Sequence, residues 1–417
     1  MAHLLAILLT VGSFTLRTFD GREVAAEQIT IAVPENRAAA DSRWIRVSAV
    51  RLPARKRSGA PPIVFLSGGP GLPASVLARV PVYYELFDAL RDDGDVLLLD
   101  QRGSGMSLPN LTCPAADVPR DFLASDESLR AALAARVGDC AAYWRAGGVD
   151  LRGYSTREIA ADVDALRRAV GASQVKLLAF SYGSEVALEV LRQQPRRVDR
   201  VVFASTRAPD TLLKHAAAWD AQLAALGIDK DVAQLVQQLD ASPQTVNGFR
   251  IGGIALLSAL RNDLPDGRAT PKLRAFVDEV RTGNTTALGQ RVEQQWKGLQ
   301  SFNLMTLAVD CSSGWSEERL RATRDEAQRS VMRNVNLQWD PSICATFGES
   351  PRPPAVPRSN VRALFITGSR DPNAPPAQTE ALRRRAFPRS RHEVVENGSH
   401  ETLPDPKVRA MVVEFLH

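Results

Sequence analysis

Ser181 stands in the stretch Lys176-Leu177-Leu178-Ala179-Phe180-Ser181-Tyr182-Gly183-Ser184. A serine hydroxyl is a weak nucleophile at neutral pH and needs a base beside it. The setting of Ser181 suggests how one could be supplied. An apolar run from Val175 to Phe180 reads as a buried strand, and a helical pattern from Glu185 to Arg192 follows at once. A small-x-Ser-x-Gly turn between strand and helix is a nucleophile elbow. It is so sharp that its flanking positions take small side chains, and the hydroxyl is thrust out at the top of the sheet. The helix N-terminus then lies beneath the place where negative charge would develop. Such a turn also arises by chance, so its partners and their order matter.

An acid and a base follow in order. Ala363-Leu364-Phe365-Ile366-Thr367-Gly368 reads as a strand and runs into Ser369-Arg370-Asp371-Pro372. A helical stretch (Ala377 to Ala386), a short strand-like run (His392 to Val395) and then Glu396-Asn397-Gly398-Ser399-His400-Glu401 come next. The chain has five histidines. His3 and His417 are terminal, His215 sits in a helical pattern and His392 enters the last strand. Only His400 lies in a loop beyond a strand after the acid. In such a triad the imidazole takes the serine proton and later passes it to the leaving group. The carboxylate fixes the ring's tautomer and stabilises the imidazolium.

These residues need a scaffold, and the flanking segments describe one. Pro62 to Leu66 reads as a strand leading into Ser67-Gly68-Gly69-Pro70-Gly71, and Asp95 to Asp100 as another leading into Gln101-Arg102-Gly103-Ser104-Gly105-Met106-Ser107. Glycines let a loop turn its N–H groups toward a cavity. One donor from the first loop, with Tyr182 N–H, would form an oxyanion hole. Residues 27–60 open with an antiparallel pair, near Glu27–Val33 and Trp44–Leu52. Strands and helices then alternate to about Ser205. From Pro209 to about Pro357 the pattern changes to helices without clear strands, such as Thr211–Leu226, Asp229–Leu239, Ile254–Arg261, Leu273–Arg281 and Glu317–Met332. The run Pro351-Arg352-Pro353-Pro354-Ala355-Val356-Pro357 reads as a return linker, and a closing helix spans Pro406 to Leu416. The order Ser, Asp, His around a helical insertion predicts an α/β fold of the α/β-hydrolase type. It has a mostly parallel central sheet, helices on both faces and an inserted helical cap. The expected parts are an N-terminal segment with signal-peptide character (1–26), a first core part (27–207), the cap (208–358) and a C-terminal core part (359–417).

Ser-Gly-Gly-Pro-Gly, Asp-Gln-Arg-Gly-Ser-Gly-Met-Ser and Phe-Ser-Tyr-Gly-Ser together resemble the proline iminopeptidase family of serine peptidases. The secreted, tripeptidyl-aminopeptidase-like bacterial branch is the more similar. Val33-Pro34-Glu35-Asn36, Val50-Arg51-Leu52-Pro53-Ala54 and Tyr154-Ser155-Thr156 through Leu166-Arg167 extend the match. It covers roughly residues 30–207 and 359–417. The resemblance implies Ser181 as nucleophile, Asp371 and His400 as its partners, and Gly69 and Tyr182 as N–H donors. Where the family usually has His this chain has Ser67, and where it has Gly this chain has Ala179. Neither position supplies the nucleophile, so activity is expected to survive. The cap, which normally sets substrate choice, matches poorly.

The four cysteines are Cys113, Cys140, Cys311 and Cys344, and none sits in a Cys-x-x-Cys motif, which argues against a zinc or redox site. Four cysteines allow three pairings. Local pairing, Cys113–Cys140 and Cys311–Cys344, resembles the secreted branch and would place the protein in the periplasm or outside the cell. Free cysteines in a cytoplasmic enzyme are the alternative. The apolar run after Met1-Ala2-His3 is short for a membrane span and suits a signal-peptide core, although a positive n-region is missing. A buried N-terminal strand or a mis-assigned start are the other readings.

With 417 residues, 44% of them hydrophobic and 24% charged, the chain is an ordinary globular protein long enough for a large domain plus an insertion. Its net charge of +5 comes from scattered arginines. The short basic runs Arg55-Lys56-Arg57 and Arg383-Arg384-Arg385 lack interleaved aromatics, so they read as solvated surface rather than a nucleic-acid footprint. No cofactor or metal is expected. The expected substrate is a short peptide cleaved at its N-terminus, or alternatively a small acyl ester. A peptidase of this kind needs a carboxylate under the cap for the substrate's ammonium, with Asp220, Asp278, Glu279, Glu293, Glu317, Glu318, Asp325 and Glu326 among the candidates. The stretch Trp296 to Trp315, with Phe302, Met305 and Asp310, is a candidate lining of the site. A non-catalytic binding role is disfavoured, because a degenerate relative would be expected to have lost a triad member. An acyltransferase would differ only in excluding water.

Overall fold

The structure is a computed structural model that describes residues 9–56, 59–266, 270–333, 340–348 and 351–417. Its strands are β1 (Leu9–Arg17), β2 (Glu23–Pro34), β3 (Trp44–Leu52), β4 (Ile63–Leu66), β5 (Val96–Asp100), β6 (Val175–Phe180), β7 (Val198–Ala204), β8 (Gln244–Val246), β9 (Phe249–Ile251), β10 (Arg362–Gly368) and β11 (Ser390–Val395). One nine-stranded sheet has the order β1-β2-β3-β5-β4-β6-β7-β10-β11. The first part of the sheet, through the β3–β5 pair, is antiparallel. From β5 to β11 every neighbouring pair is parallel.

Every residue of β4, β5 and β6 is buried. Parallel strands are covered on both faces, which is why these segments are nearly continuous apolar runs. Side-chain alternation divides them between two layers. Val64, Leu97, Leu177 and Val201 pack with Ile159, Val163, Val186 and Val190 on one face. Phe65, Leu98, Leu178 and Val202 pack with Phe87, Leu90, Val412 and Leu416 on the other. The chain steps from β4 outward to β5 and then returns to the far side of β4 with β6. Ligands bind beyond the carboxyl ends of the strands at such a reversal. The loops after β4 and β6 are Ser67–Gly71 and the Ser181 turn.

The loop after β5 is held by buried polar contacts. Asp100 accepts hydrogen bonds from Ser75 N–H (3.0 Å), the Ser75 hydroxyl (2.7 Å) and Met106 N–H (2.9 Å). Gln101 Nε2 donates to Ser67 O at 3.0 Å. Arg102 is fully buried and grips Asp162 through Nε and Nη2, both at 2.7 Å. Its Nη1 donates to Gly153 O (2.7 Å) and to Glu35 O. Around it, Glu35 accepts from Tyr154 Oη (2.7 Å) and pairs with Arg43, while Arg37 reaches Asp162 at 2.6 Å.

Between β7 and β10 lies the helical insertion. Helices Ala216–Ala225, Asp229–Ala241, Gly253–Asp263, Thr270–Arg281 and Thr286–Gln300 contribute to a core of their own, with Trp219, Val232, Leu256, Val277 and Val292 buried in it. Two features correct the sequence reading. The insertion contains strands after all, the antiparallel pair β8–β9. Its turn is Asn247-Gly248, both at positive φ (50° and 78°), the backbone that Asn-Gly favours in a two-residue hairpin. Helix Leu304–Ser313, within the insertion by sequence, packs into the main core through Leu304, Met305, Ala308 and Val309.

The N-terminal segment expected to have signal character (1–26) contains β1 and the start of β2. β1 is a mostly exposed edge strand paired with β2, and residues 1–8 lie outside the described residues. Cys113–Cys140 and Cys311–Cys344 are disulfide-bonded, with Cα separations of 5.4 and 5.3 Å. The first ties the segment after β5 to helix Asp126–Ala146, and the second ties helix Leu304–Ser313 to helix Pro341–Cys344. The linker Pro351–Pro357 has no regular structure. No helix among the described residues is long and apolar enough to cross a membrane.

Candidate active site

Ser181 joins β6 to helix Tyr182–Gln193 with φ 52° and ψ −119°, a backbone that L-residues rarely adopt. Two backbone bonds hold it: Ser181 N–H donates to Ala204 O (2.9 Å), and Arg207 N–H donates to Ser181 O (3.3 Å). The elbow is packed tightly. A Cβ at Gly183 would lie 2.0 Å from Leu66 O, and one at Gly68 would lie 3.0 Å from Ser181 Cβ. Ala179, by contrast, fits as the last small residue of the buried strand.

The structure brings the three separated residues together. His400 Nε2 lies 2.9 Å from Ser181 Oγ. Its Nδ1 lies 2.8 Å and 3.0 Å from the two Asp371 oxygens. Asp371 also accepts N–H bonds from Asn373 (2.8 Å) and Ala374 (2.9 Å). Burial pushes the Asp371 carboxyl up, but the His400 ring and these N–H groups outweigh it and hold the carboxyl below its usual range. The His400 loop is fixed from behind, because Ser205 Oγ donates to His400 O at 2.6 Å. The other described histidines have partners elsewhere: His215 with Glu326, His392 with Glu380 and Thr367, and His417 with Asp93.

Gly69 is exposed at the mouth of the β4 loop, with φ 109°. Ser67, in the place of the expected His, donates its hydroxyl to Leu72 O at 2.6 Å and so closes this loop. Tyr182 is the first residue of its helix, where an N–H has no acceptor within the helix. Its ring is buried and its hydroxyl lies 3.0 Å from Thr156 Oγ1.

A buried charge cluster adjoins the elbow, and sequence reading missed its centre. Arg207, 4% exposed, places Nε 2.8 Å from Glu185 Oε2, and its Nη1 donates to Asp310 Oδ1 at 2.6 Å. Its guanidinium carbon is 5.1 Å from the centre of the Tyr182 ring. Burial works against the Arg207 charge, but Asp310 and Glu185 reverse that and raise its affinity for the proton. Nearby Lys214 is pushed down to about 7, chiefly by burial and then by Arg207, against the pull of Asp371.

Among the carboxylates considered for a substrate ammonium, most are engaged elsewhere. Asp278 pairs with Arg281, Glu293 with Lys297 and Glu326 with His215, while Asp220 accepts from the N–H groups of Val331 and Met332. Glu317 and Glu318 begin helix Glu317–Ala327. Asp310, from the candidate lining and not among these carboxylates, is fully buried. The helical insertion rests directly on the loops that carry Asp371 and His400: His400 N–H donates to Pro265 O (3.2 Å), and the Gln222 amide donates to Arg370 O. A cavity of about 340 Å³ lies on the cap side, walled by Phe122, Leu257, Phe302 and Leu307, with Arg261 and Thr306 among its polar lining.

The family model of the α/β-hydrolase fold matches residues 61–406. The chain belongs to this family. The chain is 26% identical over 363 residues to YuaR of Escherichia coli (strain K12), whose name classes it provisionally as a hydrolase. That match covers 80% of this chain and 68% of YuaR. Serine protease Hip1 of Mycobacterium tuberculosis (strain ATCC 25618 / H37Rv) is 25% identical over 193 residues. There the match spans 43% of this chain and only 36% of Hip1. Solved structures match at lower identity. A proline iminopeptidase-related protein from Thermus thermophilus is 16% identical, with 98% of this chain and 97% of that one covered and a TM-score of 0.40. An esterase from Exiguobacterium antarcticum is 15% identical, with 91% and 97% covered and a TM-score of 0.42.

Proposed function

We propose that this α/β-hydrolase is a serine hydrolase that removes residues from the N-terminus of short peptides. The observation that carries the hydrolytic reading is the 2.9 Å contact between Ser181 Oγ and His400 Nε2, with Asp371 on the far side of the ring. Ser181 attacks the scissile carbonyl as His400 takes its proton. The N–H groups of Gly69 and Tyr182 hold the resulting oxyanion, where one donor is commonly worth roughly 3 kcal/mol in the barrier. His400 then protonates the leaving amine, and an ester to Ser181 remains. Water, deprotonated by His400, attacks that ester and releases the acid, and Ser181 recovers its proton.

The N-terminal preference has its support in the cap. Contacts from Pro265 and Gln222 seat it on both catalytic loops. A cap seated this close to Asp371 and His400 suits the end of a short chain better than a long strand passing through. The resemblance to the proline iminopeptidases agrees, and the name of the Hip1 relative, a serine protease, supports peptide-bond cleavage in general.

One observation favours a second reading, a carboxylesterase acting on small acyl esters. Both buried carboxylates beside the elbow, Glu185 and Asp310, are engaged by Arg207. A substrate ammonium would have to compete with that guanidinium.

The test compares kcat/KM on aminoacyl and tripeptidyl arylamides, on their N-acetylated forms and on short-chain aryl esters. Selective cleavage of the free-amine amides is expected. Ester turnover with no amide cleavage would establish the second reading instead. Ser181→Ala should abolish turnover and labelling by a fluorophosphonate, and labelling that persists would refute the assignment of the nucleophile. The two disulfides support a location outside the reducing cytoplasm. Thiol alkylation of the protein taken directly from cells would check this, with free thiols pointing to the cytoplasm.

A further inference from the structure

Helix Leu304–Ser313 touches the surroundings of both expected oxyanion donors. Thr306 Oγ1 donates to Pro70 O at 2.9 Å, immediately after Gly69. Four residues later, Asp310 accepts from Arg207, whose N–H binds Ser181 O and whose side chain also pairs with Glu185 on the nucleophile helix. Residues four apart share one face of a helix. One helical turn thus contacts the Gly69 loop at one end and the Tyr182 elbow, through Arg207, at the other. Packing around it is close: a Cβ at Gly71 would lie 2.9 Å from Thr306 Oγ1 and 3.1 Å from Met305 Sδ. The Cys311–Cys344 disulfide anchors the helix end.

We infer that this helix is a brace that sets the spacing of the oxyanion hole, with Thr306, Asp310 and Arg207 as positioning residues. This rests on the proposed catalytic role of Ser181, Gly69 and Tyr182. None of the three positioning side chains needs to touch the substrate. Their effect passes through the two backbone donors, whose geometry matters most when charge builds on the carbonyl oxygen. Disturbing the brace should therefore lower kcat and spare KM. The Ser181–His400–Asp371 contacts lie outside the brace, so the pH at which activity rises should not move.

The experiment measures kcat, KM and the pH profile with p-nitrophenyl acetate, alongside the thermal midpoint and the rate of phosphonylation by a fluorophosphonate. Thr306→Val removes the hydroxyl at nearly constant volume. The expected result is a kcat lower by about 10-fold, well short of the roughly 100-fold or greater cost of removing a donor outright, with KM within about two-fold. Thr306→Ser restores the donor and should recover most of the loss. Asp310→Asn should act in the same direction and more strongly. That variant leaves Arg207 partly uncompensated and could fail to fold, so the Thr306 pair carries the test. A folded Thr306→Val protein with wild-type kcat, or with raised KM and unchanged kcat, would overturn the brace. A loss that Thr306→Ser does not recover would do the same. A wild-type protein that neither turns over the ester nor is phosphonylated overturns the catalytic reading itself, and the brace with it. Normal wild-type turnover with an indifferent Thr306 overturns the brace alone.

Discussion

Arg102 and Arg207 are both buried and both lie among carboxylates, but their surroundings differ in kind. Arg102 holds Asp162 with two parallel bonds and gives its remaining nitrogen to the carbonyls of Gly153 and Glu35. Those partners come from the core; Arg37 binds the same Asp162 carboxylate from the outer side, and Arg43 holds the side chain of Glu35. Arg207 makes one close contact to each of two carboxylates, and its Nη2 finds no hydrogen-bond acceptor among the described residues. Its carboxylates sit on separate elements, the nucleophile helix and the helix Leu304–Ser313. A buried charge with all its donors met makes a rigid structural knot. One that spans two elements with a donor left over ties those elements to each other instead of knotting a single part of the core. The difference separates an arginine that holds the fold from one that tunes the site.

The sharpest way to break this contrast is to remove Arg102. Arg102→Met leaves the buried Asp162 with Arg37 as its remaining guanidinium partner, and losing one partner of a buried pair typically costs about 3–5 kcal/mol. A urea unfolding curve should show that loss, while the folded fraction keeps a near-normal kcat. Unchanged stability with a collapsed kcat would reverse the roles assigned to the two arginines. A smaller effect is expected from the disulfide at the end of the brace. The double variant Cys311→Ser/Cys344→Ser should lose about 2–4 kcal/mol, read by urea unfolding, and should also lose kcat because the brace is freer. Lost stability with an intact kcat would show that packing alone fixes the helix.

The smallest effect distinguishes the two regions by pH. The Lys214 ammonium, facing Arg207, Arg319, Asp310 and Asp371, has a folded-state value of about 7 against 10.5 in the free side chain. Between these values the unfolded chain binds more protons than the folded one, so this group makes stability rise with pH across that window. Lys214→Met should flatten the rise. Equal slopes for the two proteins would mean that Lys214 keeps its charge when folded.

The triad was legible because its chemistry demands particular residues in a particular order. Ser181, Asp371 and His400 each follow a recognisable apolar strand, and the turns around them need small residues or polar loops. The central strands were legible because continuous apolar runs leave few other readings, whereas the four cysteines left three pairings open and the local one leaned on the resemblance. The hairpin β8–β9 was missed because strands of three residues are too short to show alternation, although Asn247-Gly248 was a usable turn signal. The role of helix Leu304–Ser313 was hidden for another reason. Leu304, Met305, Leu307, Ala308 and Val309 make it apolar nearly all round, and such a pattern says that a helix is buried without saying against what. Asp310 was one carboxylate among many. Its lone place in that apolar run was the clue, because a charge there needs a buried partner. The partner, Arg207, is about a hundred positions upstream, and periodicity carries no information over that distance.

Helix Leu304–Ser313 belongs to the cap by sequence and to the core by packing, and this changes where the two can be exchanged. A chimera that replaced residues 208–358 wholesale would bring in a foreign element against Pro70 and Arg207. Junctions near 208 and 302 would swap the roof of the site and leave its frame in place. Relatives could diverge in what they bind through the first stretch, while the second stays under the constraint of the chemistry below it.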